Sequence, residues 1–262
     1  MDIIVCVKQV PDTTEVRIDP ATNTLVRQGV TSILNPFDAY AIEEAVQIKE
    51  KQGGKVTALS MGPPQAEQVL RDAVSVGADA GILLSDPAFA GADTWATSYT
   101  LAQAIKKIGS FDLILCGKQA IDGDTAQVGP GIAVHLDLPQ IVFVKKIREI
   151  GGGRIIAERM TEDGFEVVES TLPVLVTVVK DINSPRLPSL RGKMESRKVE
   201  IPVWGLRDID VNPDCIGLKG SPTWVKKVFS PPKRAGGKVF QGESADVVNT
   251  FMQALKEDQL LP

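Results

Sequence analysis

The chain has 262 residues, 43% of them hydrophobic and 24% charged, with a formal net charge of -4. These values exclude extended disorder and fibrous architecture, allow a sizeable core without staples, and leave no broad basic field for nucleic acid or anionic lipid. Cys6, Cys116 and Cys215 lie far apart without C-x-x-C spacing, no leader pattern opens the chain, and no apolar stretch reaches the roughly 20 residues of a membrane span, so a reduced, cytoplasmic protein is expected.

In chain order, a β-branched run at 3–7 predicts a strand covered on both faces. It does not enter a helix through G-x-G-x-x-G, which argues against an ordinary dinucleotide dehydrogenase; an inserted hairpin is predicted instead, with arms at 15–19 and 23–27. Asn35 reads as an N-cap with Pro36 at the first helical position, and Phe37, Ala41, Ala45 and Ile48 share one face until Gly53 and Gly54 end the helix. A strand at 56–60 leads to a second helix, begun after Gly62, Pro63 and Pro64, with Ala66, Val69, Leu70, Ala73 and Val74 turned inward before Gly77. A strand at 81–84, a helix from the Asp93 cap to Gly109 and a strand at 113–116 follow. Beyond them come a hairpin-rich piece at 141–169, turning at 151–153 and 163–164, and a strand at 174–179.

This alternation predicts an α/β fold: three-layer α/β/α, a mainly parallel sheet, Rossmann-like and adenine-nucleotide-binding, with inserted hairpins and an extended C-terminal arm. Residues 1–204 form the nucleotide-binding domain, and 205–262 form an arm in which only 245–255 has good helical period.

Chemistry concentrates where the strand at 113–116 runs into a small-residue helix through Asp122, Gly123, Asp124, Thr125, Ala126, Gln127, Val128, Gly129 and Pro130. Ligands of open α/β sheets lie beyond the carboxyl ends of strands, where a helix start offers unpaired amides. Gly123, Gly129 and Gly131 permit close approach to phosphate, Thr125 and Gln127 can donate to it, and Asp122 and Asp124 suit ribose hydroxyls or capping. On spacing alone, a glycine-punctuated turn with aspartate caps stands level with nucleotide binding. Convergence raises the second reading: Val7 and Lys8, Asn35 to Asp38, and Met61 with Gly62 should border the same crevice. Thr94 and Thr97 open the third helix, where they can donate to a ligand, beside an ordinary Asp93 cap. His135, the single histidine, is read as packing, and no triad, metal cluster or catalytic acid–base pair is expected.

The blocks V-C-V-K-Q-V-P-D, N-P-F-D-A-Y-A-I-E-E-A, G-K-Q-A-I-D-G-D-T-A-Q-V-G-P, S-P-R-L-P-S-L-R-G-K-M and P-P-K-R-A-G-G-K-V give a resemblance, along nearly the whole chain, to the beta subunit of electron-transfer flavoproteins. The resemblance implies an adenine nucleotide held by Cys6, Asn35, Pro36, Phe37, Asp38, Met61 and the run from Asp122 through Gly131, Ile132 and Ala133. The form D-G-D-T-A-Q-V-G-P is similar to that of electron-bifurcating members, which implies FAD here rather than the structural AMP of ordinary members. NADH is then the donor, with electrons divided between ferredoxin or flavodoxin and an FAD held by the alpha subunit. The segment 184–194 is similar to the family's recognition loop, with Leu190 as the plug into an acyl-CoA or 2-hydroxy-acid type dehydrogenase and Arg191 and Met194 beside it. A buried leucine opening a helix is the competing reading of Leu190. Arg191, Lys193, Arg197 and Lys198 either steer an acidic partner or form a solvated face. The block at 231–238 implies an arm over the alpha subunit. Two alternatives stand beside this: the same scaffold with AMP only, and a stress-protein-like nucleotide-binding module without a redox role.

Overall fold

The computed structural model describes residues 1–12, 32–226 and 236–261. The hairpin expected at 15–27 and the stretch 231–235 of the last sequence block lie outside the described residues. Two compact units are present, Met1–Lys226 and Lys227–Pro262.

In the first unit, β1 (Asp2–Cys6) is followed by a short antiparallel pair, β2 (Gln9–Pro11) and β3 (Ser32–Leu34), and by α1 (Pro36–Gln52). Next come β4 (Lys55–Met61), α2 (Glu67–Ser75), β5 (Ala80–Leu84), α3 (Thr94–Ile108), β6 (Leu113–Gly117) and α4 (Val128–Leu136). The chain continues with β7 (Gln140–Gly151), β8 (Arg154–Thr161), β9 (Gly164–Thr171), β10 (Val174–Val178), α5 (Leu190–Ser196) and β11 (Val203–Trp204).

The larger sheet has nine strands in the order β11-β5-β4-β1-β6-β10-β7-β8-β9. All pairs from β11 to β7 are parallel, and the β7–β8–β9 extension is antiparallel. The five parallel strands expected from sequence are therefore present, as is the hairpin-rich piece. Strand alternation divides the core in two. Ile3, Val5 and Leu115 face α1 and α2, whereas Ile4, Ile114 and Leu175 face α3 and α4. This is the expected α/β/α layering, with both faces of the parallel strands covered.

Local sequence explains the helix ends. Pro36 opens α1, and Gly53 at φ +75° closes it. The Asp93 carboxylate accepts from the amides of Trp95 at 2.9 Å and Ala96 at 3.0 Å, which makes it the N-cap of α3. Strand β7 shifts register against β10 between Val176 and Val178, and there Phe143 takes φ +61° while its amide donates to Thr177 Oγ1 at 3.0 Å.

The first unit extends past the boundary expected at 204. Ile209 and Ile216 are buried against the α3 face, the Leu206 amide donates to Asp86 at 2.9 Å, and the Thr223 amide and hydroxyl both donate to Asp93. Residues 205–226 thus belong to the α/β unit, because isolated apolar anchors and aspartate side chains fasten them there. In the second unit, α6 (Ser244–Glu257) replaces the helix expected at 245–255, with Phe240 edge-to-face on Phe251 at 5.7 Å. No helix among the described residues is long and apolar enough to cross a membrane.

Candidate functional site

Strand order reverses between β1 and β6, since β1 continues through α1 to β4 on one side and β6 lies on the other. The candidate crevice lies at that point, beyond the carboxyl ends of the strands, the usual ligand position in open α/β sheets.

Its floor is a buried brace built on α1. Asn35 Nδ2 donates to Asp38 Oδ1 at 2.9 Å and to the Gln119 carbonyl at 2.9 Å, while Asn35 Oδ1 accepts from the Ile121 amide at 3.2 Å. Asp38 Oδ2 accepts from the Lys8 amide at 2.7 Å, so one carboxylate ties the end of β1 to the first turn of α1. Burial pushes the Asp38 carboxyl up to about 7, opposed by hydrogen bonds from Asn35, Lys8 and Gly117 and by the Lys8 charge. Gly117 has no alternative: a Cβ there would press on Asp38 Oδ1 and on the Phe37 backbone. Above the brace, Lys8 Nζ meets both Asp122 oxygens, at 2.6 and 2.8 Å, and closes the loop after β6 over the end of β1. Being half exposed, this pair contributes about 0–1 kcal/mol and acts mainly as a tether.

The loop from Gly117 to α4 is unusual in its backbone. Asp124 and Ala126 both take positive φ, 53° and 54°, at a cost of about 1–3 kcal/mol each. Gln119 Nε2 donates to Asp124, and the Asp124 amide donates to Ala120 at 2.8 Å. Helix α4 starts without a side-chain cap, so its first amides, Val128 and Gly129, have no intrahelical acceptor; Pro130 has no N–H to satisfy. Thr94 Oγ1 donates to Gln127 Oε1 at 3.0 Å, which leaves the Gln127 amide group turned to donate elsewhere. Gly123 has open space where a Cβ would stand. An uncapped helix start, a strained exposed loop and an amide donor fit a diphosphate.

The structure brings together Cys6, Val7, Lys8, Asn35, Phe37, Asp38 and the loop Asp122 to Val128, and places Thr94 against that loop. Met61 and Gly62 end the neighbouring strand β4, where the Gly62 amide donates to Leu84 O. Pro36 is exposed on the first turn of α1, and Thr97, half-buried, lies one turn into α3 with its amide on Asp93 O. Ile132 and Ala133 are fully buried on the core side of α4, beside Ile114 and Leu175. Gly129 and Gly131 serve packing: a Cβ would meet Thr177 at the first and Ser98 at the second. The Asp122 carboxylate is engaged by Lys8.

Gly117, Gln119 and Ser98 fall within the sequence segments around the crevice, but their individual roles were not assigned from sequence. Ser98, buried, donates to Thr94 O at 2.6 Å and Val128 O at 3.2 Å and so joins α3 to the start of α4. Gly117 ends β6, one residue beyond the strand expected at 113–116. Cys6 and Cys116 occupy paired positions of β1 and β6, and a hydrogen bond with the Cys6 thiol, then burial, pushes the Cys116 thiol up. His135 lies tilted against Trp95, with ring centroids 4.4 Å apart, and burial lowers its imidazole. A shallow depression lined by Met1, Gln52 and Gly152 lies at the opposite, amino edge of the sheet, away from these groups.

Away from the crevice, Leu190 opens α5 and is 78% exposed, so the buried reading of that leucine fails. Arg191 and Met194 are exposed on the same short helix.

Fold and crevice together define a doubly wound α/β protein of the nucleotide-binding architecture. The electron transfer flavoprotein domain matches residues 22–209. The chain is 50% identical over 262 residues to the electron transfer flavoprotein subunit beta of Thermoanaerobacterium thermosaccharolyticum, covering 100% of both chains. It is 49% identical over 263 residues to the caffeyl-CoA reductase-Etf complex subunit CarD of Acetobacterium woodii, again over 100% of both. With the electron transfer flavoprotein subunit beta of Megasphaera elsdenii it shares 48% over 271 residues and the full length of each. The chain belongs to the electron transfer flavoprotein family, among its beta subunits.

Proposed function

We propose that this beta subunit binds FAD in the switch-point crevice, takes electrons from NADH, and bifurcates them between ferredoxin or flavodoxin and an FAD of the alpha subunit that feeds a dehydrogenase. The observation that carries the reading is the loop from Gly117 to Val128, with its positive-φ Asp124 and Ala126 and the uncapped α4 behind it. Such strain persists only where surrounding structure holds it, and it concentrates at ligand sites. When bound, the flavin supplies the hydride and single-electron chemistry. The chain's own residues bind and orient: amides of Gly123 to Gly129 and the Gln127 side chain hold the diphosphate, Thr94 orients Gln127, and Asn35 with Asp38 keeps the strand ends in register. Cys6 and Met61 stand at the ends of the adjoining strands β1 and β4.

The second unit, with α6, packs on the alpha subunit in this reading; the apolar Val248, Phe251 and Leu255 on one helix suit that role. Leu190, Arg191 and Met194 meet the dehydrogenase. A relative named as a subunit of a caffeyl-CoA reductase-Etf complex supports assembly with a larger redox partner. Extraction of flavin and nucleotide from the co-expressed heterodimer tests the reading. Two FAD per heterodimer is expected. One FAD plus AMP replaces bifurcation with simple carriage, and no flavin with a retained ATP removes the redox role.

A further inference from the structure

Residues 183–190 are clamped at two points by groups that the crevice does not use. At one end, the Arg186 guanidinium lies across two carboxylates of α1. Nε and Nη2 donate to Glu43 at 2.8 and 3.0 Å, and Nη1 and Nη2 donate to Glu50 at 2.5 and 3.0 Å. The Arg186 backbone amide also donates to Glu43, at 3.1 Å. Asn183 Nδ2 adds bonds to the Tyr40 carbonyl at 3.0 Å and to Glu44 at 2.9 Å. Glu43 is buried; burial opposes its charge, but hydrogen bonds from Arg186 and Gln47 outweigh it and hold the carboxyl below its ordinary range. At the other end, Ser189 Oγ accepts from the Gly192 amide at 2.9 Å, and α5 lies so near α2 that a Cβ on Gly192 would fall on the Ser75 carbonyl.

Between the clamps stand Leu187 and Leu190, 89% and 78% exposed. Burying a carboxylate is expensive, and removing its single cation is more so. Here that expense fixes a segment whose own leucines are left in water. Exposed apolar side chains on a rigid backbone surrender less conformational freedom when they dock than the same side chains on a mobile loop.

We propose that Arg186 is a positioning residue for partner docking: with Glu43 and Glu50 it presets residues 187–190 so that Leu187 and Leu190 enter one apolar socket of the FAD-dependent dehydrogenase, whose acidic rim meets Arg191, Lys193 and Arg197. This rests on the reading of residues 184–194 as the partner-binding segment. Those three cations are exposed on or directly after the short helix that Leu190 opens, which supplies the charge complementarity for such a rim. Leu187 becomes a second anchor beside Leu190.

The test uses the full heterodimer with its alpha subunit, reduced with dithionite, and an acyl-CoA dehydrogenase as acceptor, with a 2-hydroxy-acid dehydrogenase in a second arm. Arg186→Ala should raise the half-saturating acceptor concentration about tenfold, as expected for the loss of about 1.4 kcal/mol of preorganisation. Flavin content and the rate of reduction of a small dye should not change, and Arg186→Lys should recover part of the loss. Amide hydrogen exchange across 183–190 should accelerate in Arg186→Ala and stay slow in Leu187→Ala and Leu190→Ala, although both leucine variants also weaken docking. Arg186→Ala that docks like the wild type, or whose loop exchanges no faster, overturns the proposal. Leucine variants that dock normally sink the partner-binding reading itself, a separate failure. Should Arg186→Ala not assemble, Arg186→Lys and Glu43→Gln carry the same comparison.

Discussion

Replacing Asp38 with asparagine removes a titrating group buried under the crevice while keeping its volume. Burial raises the folded carboxyl from 3.8 to about 7. A raised folded value means that folding takes up a proton between those limits, so this contribution is fully present below about pH 4 and is lost as the pH rises through about 7. The difference of about three units, at about 1.4 kcal/mol each, caps the loss at about 4 kcal/mol, of which about 2–3 kcal/mol falls between pH 5 and 8.5. The assay is urea unfolding of the full chain across that range, wild type beside Asp38→Asn. The wild-type curve should fall relative to the variant as pH rises. At pH 5 the variant should be the weaker by about 1–2 kcal/mol, because its amide group faces the Asn35 or Lys8 donor. Two curves separated by a constant across the whole range would refute both the buried acid and the brace built on it.

Other perturbations separate packing from ligand contact. Gly117→Ala should destabilise the chain by about 1–3 kcal/mol or more, read in the same melts, because the new methyl meets the Phe37 backbone and the Asp38 carboxylate. Gly131→Ala should cost a similar amount through Ser98, whereas Gly123→Ala, with open space around it, should change ligand-free stability by less than about 0.5 kcal/mol and weaken flavin retention at least tenfold in equilibrium dialysis of the heterodimer. Asp93→Ala should cost about 0.5–2 kcal/mol through its cap and its bonds to Thr223. Burial opposes ionisation of Asp93, but amides of Ala96, Trp95 and Thr223 and the Thr223 hydroxyl hold its carboxyl low, so its contribution is present above the unfolded value of about 4 and fades as the pH falls through the folded one. Truncation after Lys226 should leave the α/β unit folded by circular dichroism and weaken co-purification of the alpha subunit; cutting near Ser221 instead should also destabilise the unit, since Ser221 and Thr223 bind Asp93.

The parallel strands were legible because each is covered on both faces and so reads as a largely apolar run, as in Leu113 to Cys116. Helix limits were legible where punctuation is chemical: Pro36 opens α1, Asp93 caps α3, and Gly53 and Gly109 close them. β11 was not, since two residues carry no period, and 205–226 read as a tail because Ile209 and Ile216 stand singly among polar neighbours. The ladder of β2 and β3 joins residues far apart in sequence and gives no local sign. At the crevice, sequence showed which residues gather but not what engages them. An aspartate in a first helical turn looks like a partner of the helix dipole, and nothing local tells that Asp38 is sealed under Lys8 and Gly117. The positive φ of Ala126 is equally silent, because alanine has no preference for it.

Helix α1 serves two clients. Its start carries Asn35 and Asp38 under the candidate crevice, and further along Glu43 and Glu50 grip Arg186. A rod of 17 residues spans about 25 Å, so one stiff element joins the two workplaces. Anyone grafting a different segment in place of residues 183–190 must therefore transplant the matching acidic positions of the helix as well. A swapped loop without them would leave Glu43 stranded without its counter-ion, and the resulting slackness would be mistaken for poor choice of sequence.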